Sequence, residues 1–172
     1  QMISDVALTV GYEITRNDLL PILEDCIGDS ESPVRQHCAG QLSKIAKHCI
    51  LWSSQLKDRD ENSDNKNDID SSSESYNLIL SDILPIVALL LEDDKAEVRR
   101  AASNSLLEIS KLLNYDDLGP NVLTIVLALA HDDEKEEMRM TASELLNQLS
   151  ECLGEDLCKQ FETGIIKDSF SD

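Results

Sequence analysis

Two histidine–cysteine dipeptides contain the residue types that most often bind a transition metal. His37-Cys38 and His48-Cys49 stand eleven positions apart, and zinc prefers imidazole nitrogen and thiolate sulfur as ligands. The sequence has neither a Cys-x-x-Cys nor a His-x-x-x-His spacing, which would bring two ligands to one side of a turn or a helix. We therefore predict no metal site, and we interpret these cysteines as small residues of a hydrophobic core.

Carboxylates are the other abundant reactive groups, and pairs of them can act as acid and base in catalysis. The chain has 34 acidic residues, but they gather in short clusters that are typical of solvated turns. It contains no Gly-x-Ser-x-Gly motif, no glycine-rich phosphate loop, no His-Glu-x-x-His and no dinucleotide fingerprint. We predict that the chain is not an enzyme, with neither a catalytic residue nor a cofactor.

The charge and composition of the chain limit its partners. Its 172 residues carry a formal net charge of −19, so it should repel nucleic acids and anionic lipids, which bind through Lys and Arg. No apolar run approaches the ~20 residues of a membrane span, and the N-terminus lacks the features of a signal peptide. Five cysteines without paired spacing favour a reducing compartment. We predict a protein partner, in the cytoplasm or also in the nucleus.

Three segments of the chain repeat one pattern of residues, and this repeat predicts the elements that position all other groups. In each repeat an Asp precedes an Arg by six positions, and an apolar residue stands directly before the Arg. A small residue follows the apolar one by four positions and a Leu by eight, which is the spacing of one helix face. The repeated positions are Leu20-Pro21-Ile22, Asp29, Val34-Arg35, Cys38, Leu42 and Ile45; Leu84-Pro85-Ile86, Asp93, Val98-Arg99, Ala102, Leu106 and Ile109; and Ile125, Asp133, Met138-Arg139, Ala142, Leu146 and Leu149.

Each repeat predicts two antiparallel helices, A and B, which are joined by a short acidic turn. The A helices are predicted at residues 17–27, 77–91 and 119–131, and the B helices at residues 33–51, 96–114 and 135–152. Pro21 and Pro85 fall inside A helices, where a proline removes one backbone hydrogen bond and bends the helix. The sequence therefore predicts an all-α fold whose core consists of Leu, Ile, Val and Ala.

An insertion separates the first two repeats. It covers residues 53–75, is rich in Ser and Asp and is almost free of apolar residues, so we predict that it is disordered. We interpret residues 2–10 as the end of an earlier B helix and residues 154–161 as the start of a further A helix. Residues 1–172 are then a single segment of a larger solenoid, or a solenoid closed by a short irregular cap.

The Asp and Arg of each repeat are predicted to form a structural ladder. Each Asp falls in the turn, where its carboxylate can cap N–H groups of helix B. Each Arg lies one turn into helix B, and its planar side chain can join the Asp of its own repeat to that of the next. The pairs are Asp29–Arg35, Asp93–Arg99 and Asp133–Arg139. The alternative is that these residues bind an anion.

The Pro, Asp and Val-Arg positions resemble those of HEAT repeats, over about residues 17–160. The run LPILEDCIGDSESPVRQHCAGQLSKIA is similar to repeats of the scaffolding subunits of type 2A protein phosphatases. A more specific similarity is to the regulatory subunit 1 family of protein phosphatase 4, whose early repeats contain an LPIV…L…D…VR unit. The resemblance implies an α-solenoid of HEAT-type hairpins, with about three full repeats and partial terminal units.

The resemblance also implies a function, that of a non-catalytic scaffold or regulatory subunit of a serine/threonine protein phosphatase complex. In the resembled scaffolds the turns within repeats form the ridge that holds the catalytic subunit. By analogy, the acidic turns are predicted to bind the basic patch of a partner. The predicted contact residues are Asp29, Glu31, Glu92, Asp94, Lys95, Asp132 and Glu134.

Three alternatives to this function stay open, and one of them is an enzyme with a helical fold. The acidic turns can serve solubility alone, without binding a partner. The chain can also be a HEAT adaptor of another class, such as an importin-like transport receptor that binds basic cargo.

Overall fold

The computed structural model describes residues 2–60, 74–131 and 135–154, and the part of the chain so described is all-α, without a strand. The chain divides into two compact units, Gln1–Leu112 and Leu113–Asp172. The helices that carry the fold are α1 (Met2–Ile14), α2 (Leu20–Ile27), α3 (Ser32–Asp60), α4 (Leu84–Leu91), α5 (Ala96–Ser110), α6 (Thr124–Ala130) and α7 (Glu136–Leu153).

In each predicted A helix, a π-helical turn directly precedes the observed α-helix. These turns span Thr15–Leu19, Ile79–Ile83 and Leu118–Leu123. Pro21 and Pro85 are early residues of the α-helices that follow, α2 and α4. The wider π turn accommodates a proline, which has no N–H to donate and whose ring would clash with the preceding helical turn. The positions of the A helices are thus confirmed, with a π turn before each proline where a simple bend was predicted.

The first unit contains two helical hairpins, because α2 packs against α3 and α4 packs against α5. Helices α3 and α5 also pack against each other, and the buried Ser105 hydroxyl donates a hydrogen bond to the carbonyl of Ala39 (Oγ···O 2.6 Å). The small residues Cys38 and Ala102 are buried, as the repeat predicts. The largest side chains of this core include Leu23, Leu42, Ile45, Ile83, Leu84, Leu91, Leu106 and Ile109.

The second unit contains the third hairpin, in which α6 packs against α7. Its core includes Val122, Val126, Leu129, Met138, Ala142, Leu145 and Leu149. The prediction that Leu146 lies in this core is wrong, because Leu146 is only half-buried. Leu145 is buried in its place, since steps of four, three and four residues from Met138 stay closer to one face of a helix with 3.6 residues per turn.

Helix α1 is broken at Gly11, whose φ of 82° lies in the left-handed region that glycine adopts without steric cost. The break lies directly after the predicted end of the first helix at Val10. Beyond it, the ring of Tyr12 packs edge-to-face on Trp52 of α3, with the ring centroids 6.2 Å apart. Trp52 therefore anchors α3 to α1 just after residue 51, the predicted end of the first B helix.

Helix α3 is longer than predicted. It continues to Asp60, and helical structure is present again from residue 74, so both borders of the segment predicted to be disordered are helical. Ser53 and Ser75 are buried, and burial of these small polar residues is not apparent from the composition of the segment. The prediction of disorder at residues 61–73 lies outside the described residues, and so does the further A helix predicted after residue 154.

The stretch Glu74–Leu91 is long and apolar enough to cross a membrane by length and composition, with a mean hydropathy of 1.5. The sequence-based statement that no run approaches this length was therefore too strict. Half of the stretch is buried within the protein, where it contributes Ile79, Ile83, Val87 and Leu91 to the core. A core helix meets the same criteria as a membrane span, so this stretch is weak evidence for a span.

Candidate functional site

The turns within the first two hairpins are each closed by the Asp of the repeat. The Asp29 carboxylate accepts a hydrogen bond from the N–H of Glu31 (2.8 Å), and the Asp93 carboxylate accepts one from the N–H of Lys95 (2.9 Å). Lys95 is itself the N-cap residue of α5 and makes no side-chain capping bond. The prediction that Asp93 caps helix B is thus corrected, because its carboxylate closes the turn two residues further on, before the helix begins.

The guanidinium of Arg35 joins two successive turns. Its Nη1 donates to the backbone carbonyl of Asp29 in its own hairpin (2.8 Å). Its Nε and Nη2 donate to the two carboxylate oxygens of Asp93 in the next hairpin (2.6 and 2.9 Å), and Nη2 also reaches Asp94 (2.9 Å). This is the bidentate geometry that fits a planar guanidinium to a carboxylate. Arg35 therefore bridges the two repeats, through a carbonyl on one side and a carboxylate on the other.

Burial and charge make this bridge a structural brace. The side chains of Arg35 and Asp93 are 12% and 8% exposed, whereas that of Asp94 is 68% exposed. The hydrogen bonds from Arg35 lower the pKa of Asp93 to about 2, against the opposing effect of burial, and the same bonds raise the pKa of Arg35. Asp93 is therefore ionised and held by its partners. We refer to Arg35, Asp93 and Asp94 as the turn brace.

The next rungs of the predicted ladder are described only in part. Nη1 of Arg99 donates to the backbone carbonyl of Asp93 (2.8 Å), as Arg35 does to Asp29, while Nε of Arg99 is buried and has no hydrogen-bond partner among the described residues. Arg139 lies in the first turn of α7. Asp133 lies outside the described residues, and so do the predicted contact residues Asp132 and Glu134. The pairing of Arg139 stays a prediction.

The remaining predicted contact residues lie on the turns of the first unit. Glu31, Glu92, Asp94 and Lys95 are exposed, and Asp29 is half-buried. Lys95 pairs with Asp94 (3.1 Å), so it neutralises part of the local negative charge. We call the four acidic residues Asp29, Glu31, Glu92 and Asp94 the acidic ridge. The brace beneath the ridge fixes the turns that carry it.

A second feature of the first unit is a cleft on α3 that sequence reasoning missed. The cleft has a volume of about 550 Å³ and is lined by Pro33, Gln36, His37, Gly40, Gln41 and Lys44 of α3, together with Ala101 of α5. The one signal for it in the sequence is Gly40 inside a predicted helix. Glycine destabilises a helix, so its presence there can indicate a place where another backbone approaches closely. In the sequence, a row of polar residues on one helix face is typical of ordinary solvated surface.

The cysteines of the two His-Cys dipeptides are core residues. Cys38 and Cys49 are buried, and burial raises the pKa of their thiols to about 11 and about 12. Such thiols stay protonated and are poor nucleophiles and poor metal ligands. The portion of the chain that the structure describes has no group of three or more His, Cys, Asp or Glu side chains that could hold a metal ion.

Comparison with known proteins gives one family match. The family model described as "PIK3R4-like, middle domain" matches residues 8–172. No curated protein matches the chain. The match names neither a phosphatase scaffold nor the regulatory subunit 1 family of phosphatase 4, and it says nothing for or against either.

Proposed function

This chain belongs to the PIK3R4-like middle-domain family, and on that premise we propose that it is a non-catalytic scaffold segment that binds a protein partner through its acidic ridge. Family membership and the helical hairpins support the general class, a helical domain of the scaffold type. The acidic ridge and its partner are the specific parts of the proposal. Fold and family do not define a binding site, so the ridge residues must carry the argument.

The observation that carries the proposal is the turn brace. Buried hydrogen bonds from Arg35 hold the first two turns to each other, while Glu31 and Glu92 on the same turns stay exposed. A surface that is already rigid loses little conformational freedom when a partner binds. The brace thus pre-organises a row of carboxylates for recognition.

The charge of the ridge defines the partner's chemistry. Exposed carboxylates on a chain of net charge −19 attract a basic patch and accelerate its encounter with the ridge. Salt screens this attraction over roughly 8–10 Å at physiological ionic strength. Affinity for the partner should therefore fall as salt concentration rises.

The specific partner that we propose is a serine/threonine phosphatase catalytic subunit. This part of the proposal depends on the resemblance of the repeats to phosphatase scaffolds, and the family match leaves it untested. A scaffold of this kind supplies no catalytic group. It positions the catalytic subunit and its substrates through the exposed turns.

The test is calorimetric titration of the chain with the catalytic subunits of phosphatases 4 and 2A at two salt concentrations. The ridge variant Glu31→Lys/Glu92→Lys should weaken binding of the subunit that the wild-type chain selects. The matched control is Glu13→Lys/Asp18→Lys, which makes the same charge change at exposed positions outside the ridge. Equal loss in both variants would reject the ridge and leave only a net-charge effect. Lack of binding to either subunit, by a chain with an intact helical spectrum, would reject the phosphatase partner.

A further inference from the structure

The geometry points to a second binding site, in which the cleft on α3 holds an extended, acidic segment of a protein chain. This site goes beyond the acidic ridge, because it would take a ligand of the opposite charge at other residues of the same unit. Three independent features of the cleft support it: an unpartnered buried amide, an open helix backbone and a local excess of basic side chains.

The first feature is the side chain of Gln41. Gln41 is only 3% exposed, and its Oε1 has no hydrogen-bond partner among the described residues, while its Nε2 lies 3.5 Å from Nε2 of His37. Exchange of the amide O and N would leave the other end of the group unpartnered instead. A buried polar atom without a partner lowers stability, so its presence in a ligand-sized cleft indicates that a ligand completes it.

The second feature is Gly40. A Cβ atom placed on Gly40 would meet no atom within 4 Å, so packing does not require glycine there. Glycine within a helix nevertheless destabilises the helix relative to alanine. The open space in front of Gly40 lets a ligand backbone approach α3 closely, next to the amide of Gln41.

The third feature is the local charge. The side chains that line the cleft include Lys44, which is exposed, and His37, and none of the lining side chains is acidic. This sign is opposite to that of the whole chain, whose net charge is −19. A carboxylate on the ligand would therefore find its most favourable position near Lys44.

These features together identify the chemistry of the ligand. A rotation of the Gln41 side chain would bring its buried Oε1 to the cleft beside Nε2, and this acceptor and donor would complement the N–H and C=O of a peptide group. A volume of about 550 Å³ lies within the usual range of ligand clefts. A peptide group beside an Asp or Glu side chain fits both the amide and the cation, so the ligand is an acidic protein segment.

The experiment is an NMR titration of the ¹⁵N-labelled chain with N-acetyl-aspartyl-N-methylamide, which carries two peptide groups beside one carboxylate. We expect shifts of the Gln41 side-chain amide and of the Gly40 N–H. The neutral analogue N-acetyl-asparaginyl-N-methylamide should bind roughly two- to fivefold more weakly, since the cation at Lys44 is exposed. Sodium acetate should shift neither signal.

Two variants separate a binding role of Gln41 from a structural role. Gln41→Leu should abolish the probe-dependent shift at Gly40 while its thermal midpoint stays equal or rises, because it removes an unpartnered buried amide. The control Gln36→Leu changes an exposed amide of the same cleft and should retain the shift. A lower midpoint in Gln41→Leu, together with an unchanged probe response, would overturn the site. Equal shifts with sodium acetate would also overturn it, because they would show a simple anion site.

Discussion

Two ion-pair clusters connect α3 to the second hairpin, one to the turn before α5 and the other to α5 itself, and they differ in burial. In the turn brace, Arg35 binds Asp93 through paired hydrogen bonds, and the two side chains are 12% and 8% exposed. Further along α3, Nζ of Lys47 lies 2.8 Å from the carboxylate of Glu108 on α5, and these side chains are 47% and 41% exposed. We call Lys47, Glu108 and Lys111 the surface cluster, because Lys111 pairs with Glu108 as well.

The comparison shows why a shifted pKa does not by itself measure stability. Hydrogen bonds from Arg35 lower the pKa of Asp93 to about 2, and those from Lys111 and Lys47 lower the pKa of Glu108 to about 2. The two carboxylates look equivalent on this measure. Water and salt screen the surface cluster, however, and two flexible lysine side chains must be ordered to maintain it. The buried, bidentate brace should therefore contribute much more to the free energy of unfolding.

The largest expected effect is that of Asp93→Ala in the turn brace. The variant removes the buried carboxylate partner of Arg35 and leaves it the exposed carboxylate of Asp94 and the backbone carbonyl of Asp29. It should lower the free energy of unfolding by about 2–3 kcal/mol, since both a charged hydrogen-bonded pair and the turn closure at Lys95 are lost. Urea unfolding followed by circular dichroism measures the change.

The matched control for the brace is Asp94→Ala, one residue further along the turn. Its carboxylate is 68% exposed, so its removal should change the free energy of unfolding by less than about 0.5 kcal/mol. Equal losses in Asp93→Ala and Asp94→Ala would show that burial does not distinguish the two carboxylates. The contrast between the brace and the surface cluster would then fail.

The pH dependence of the free energy of unfolding provides a second test of the turn brace. The pKa of Asp93 falls from its ordinary value of 3.8 to about 2 in the folded protein. Its ionised form thus stabilises the fold above about pH 4, and this stabilisation is lost as the pH falls from about 4 to 2. The difference in unfolding free energy between wild type and Asp93→Asn should shrink over this interval. A difference that stays constant from pH 6 to pH 2 would contradict a depressed pKa at Asp93.

A third, smaller effect concerns a neutral contact between the same helices. The Ser105 hydroxyl is buried and donates to the Ala39 carbonyl over 2.6 Å. Ser105→Ala should lower the free energy of unfolding by about 1 kcal/mol, which lies between the effects of the brace and of the surface cluster. Ser54→Ala is the control, because its hydroxyl is exposed and bonds only within its own helix. A loss in Ser105→Ala as large as that in Asp93→Ala would show that charge adds nothing to burial.

Much of this arrangement can be predicted from the sequence, because repetition marks it. A constant six-residue step from Asp to Arg identifies the turns, the hairpins and a bridge between repeats. The step does not reveal that Asp93 closes its own turn, or that Arg35 meets a carbonyl at Asp29 and a carboxylate at Asp93. Such details depend on how two turns approach each other in space.

Features that do not repeat are harder to predict. The cleft at Gln41 is lined mainly by polar residues of α3, with Ala101 of α5, and its unpartnered amide is apparent only when burial is known. The extension of α3 to Asp60 is concealed by a Ser- and Asp-rich composition that normally indicates disorder. In both cases local composition predicts exposure to solvent, whereas Gln41 and Ser53 are buried by tertiary packing.

The smallest expected effect is that of Glu108→Gln in the surface cluster. Its ion pairs with Lys47 and Lys111 are exposed, so the change should cost less than about 0.5 kcal/mol. A double-mutant cycle with Lys47→Met should give a coupling energy that disappears at about 1 M salt, where the screening length is about 3 Å. A coupling energy above about 2 kcal/mol that persists at high salt would place this cluster beside the brace. Pairing geometry would then matter more than burial in joining α3 to α5.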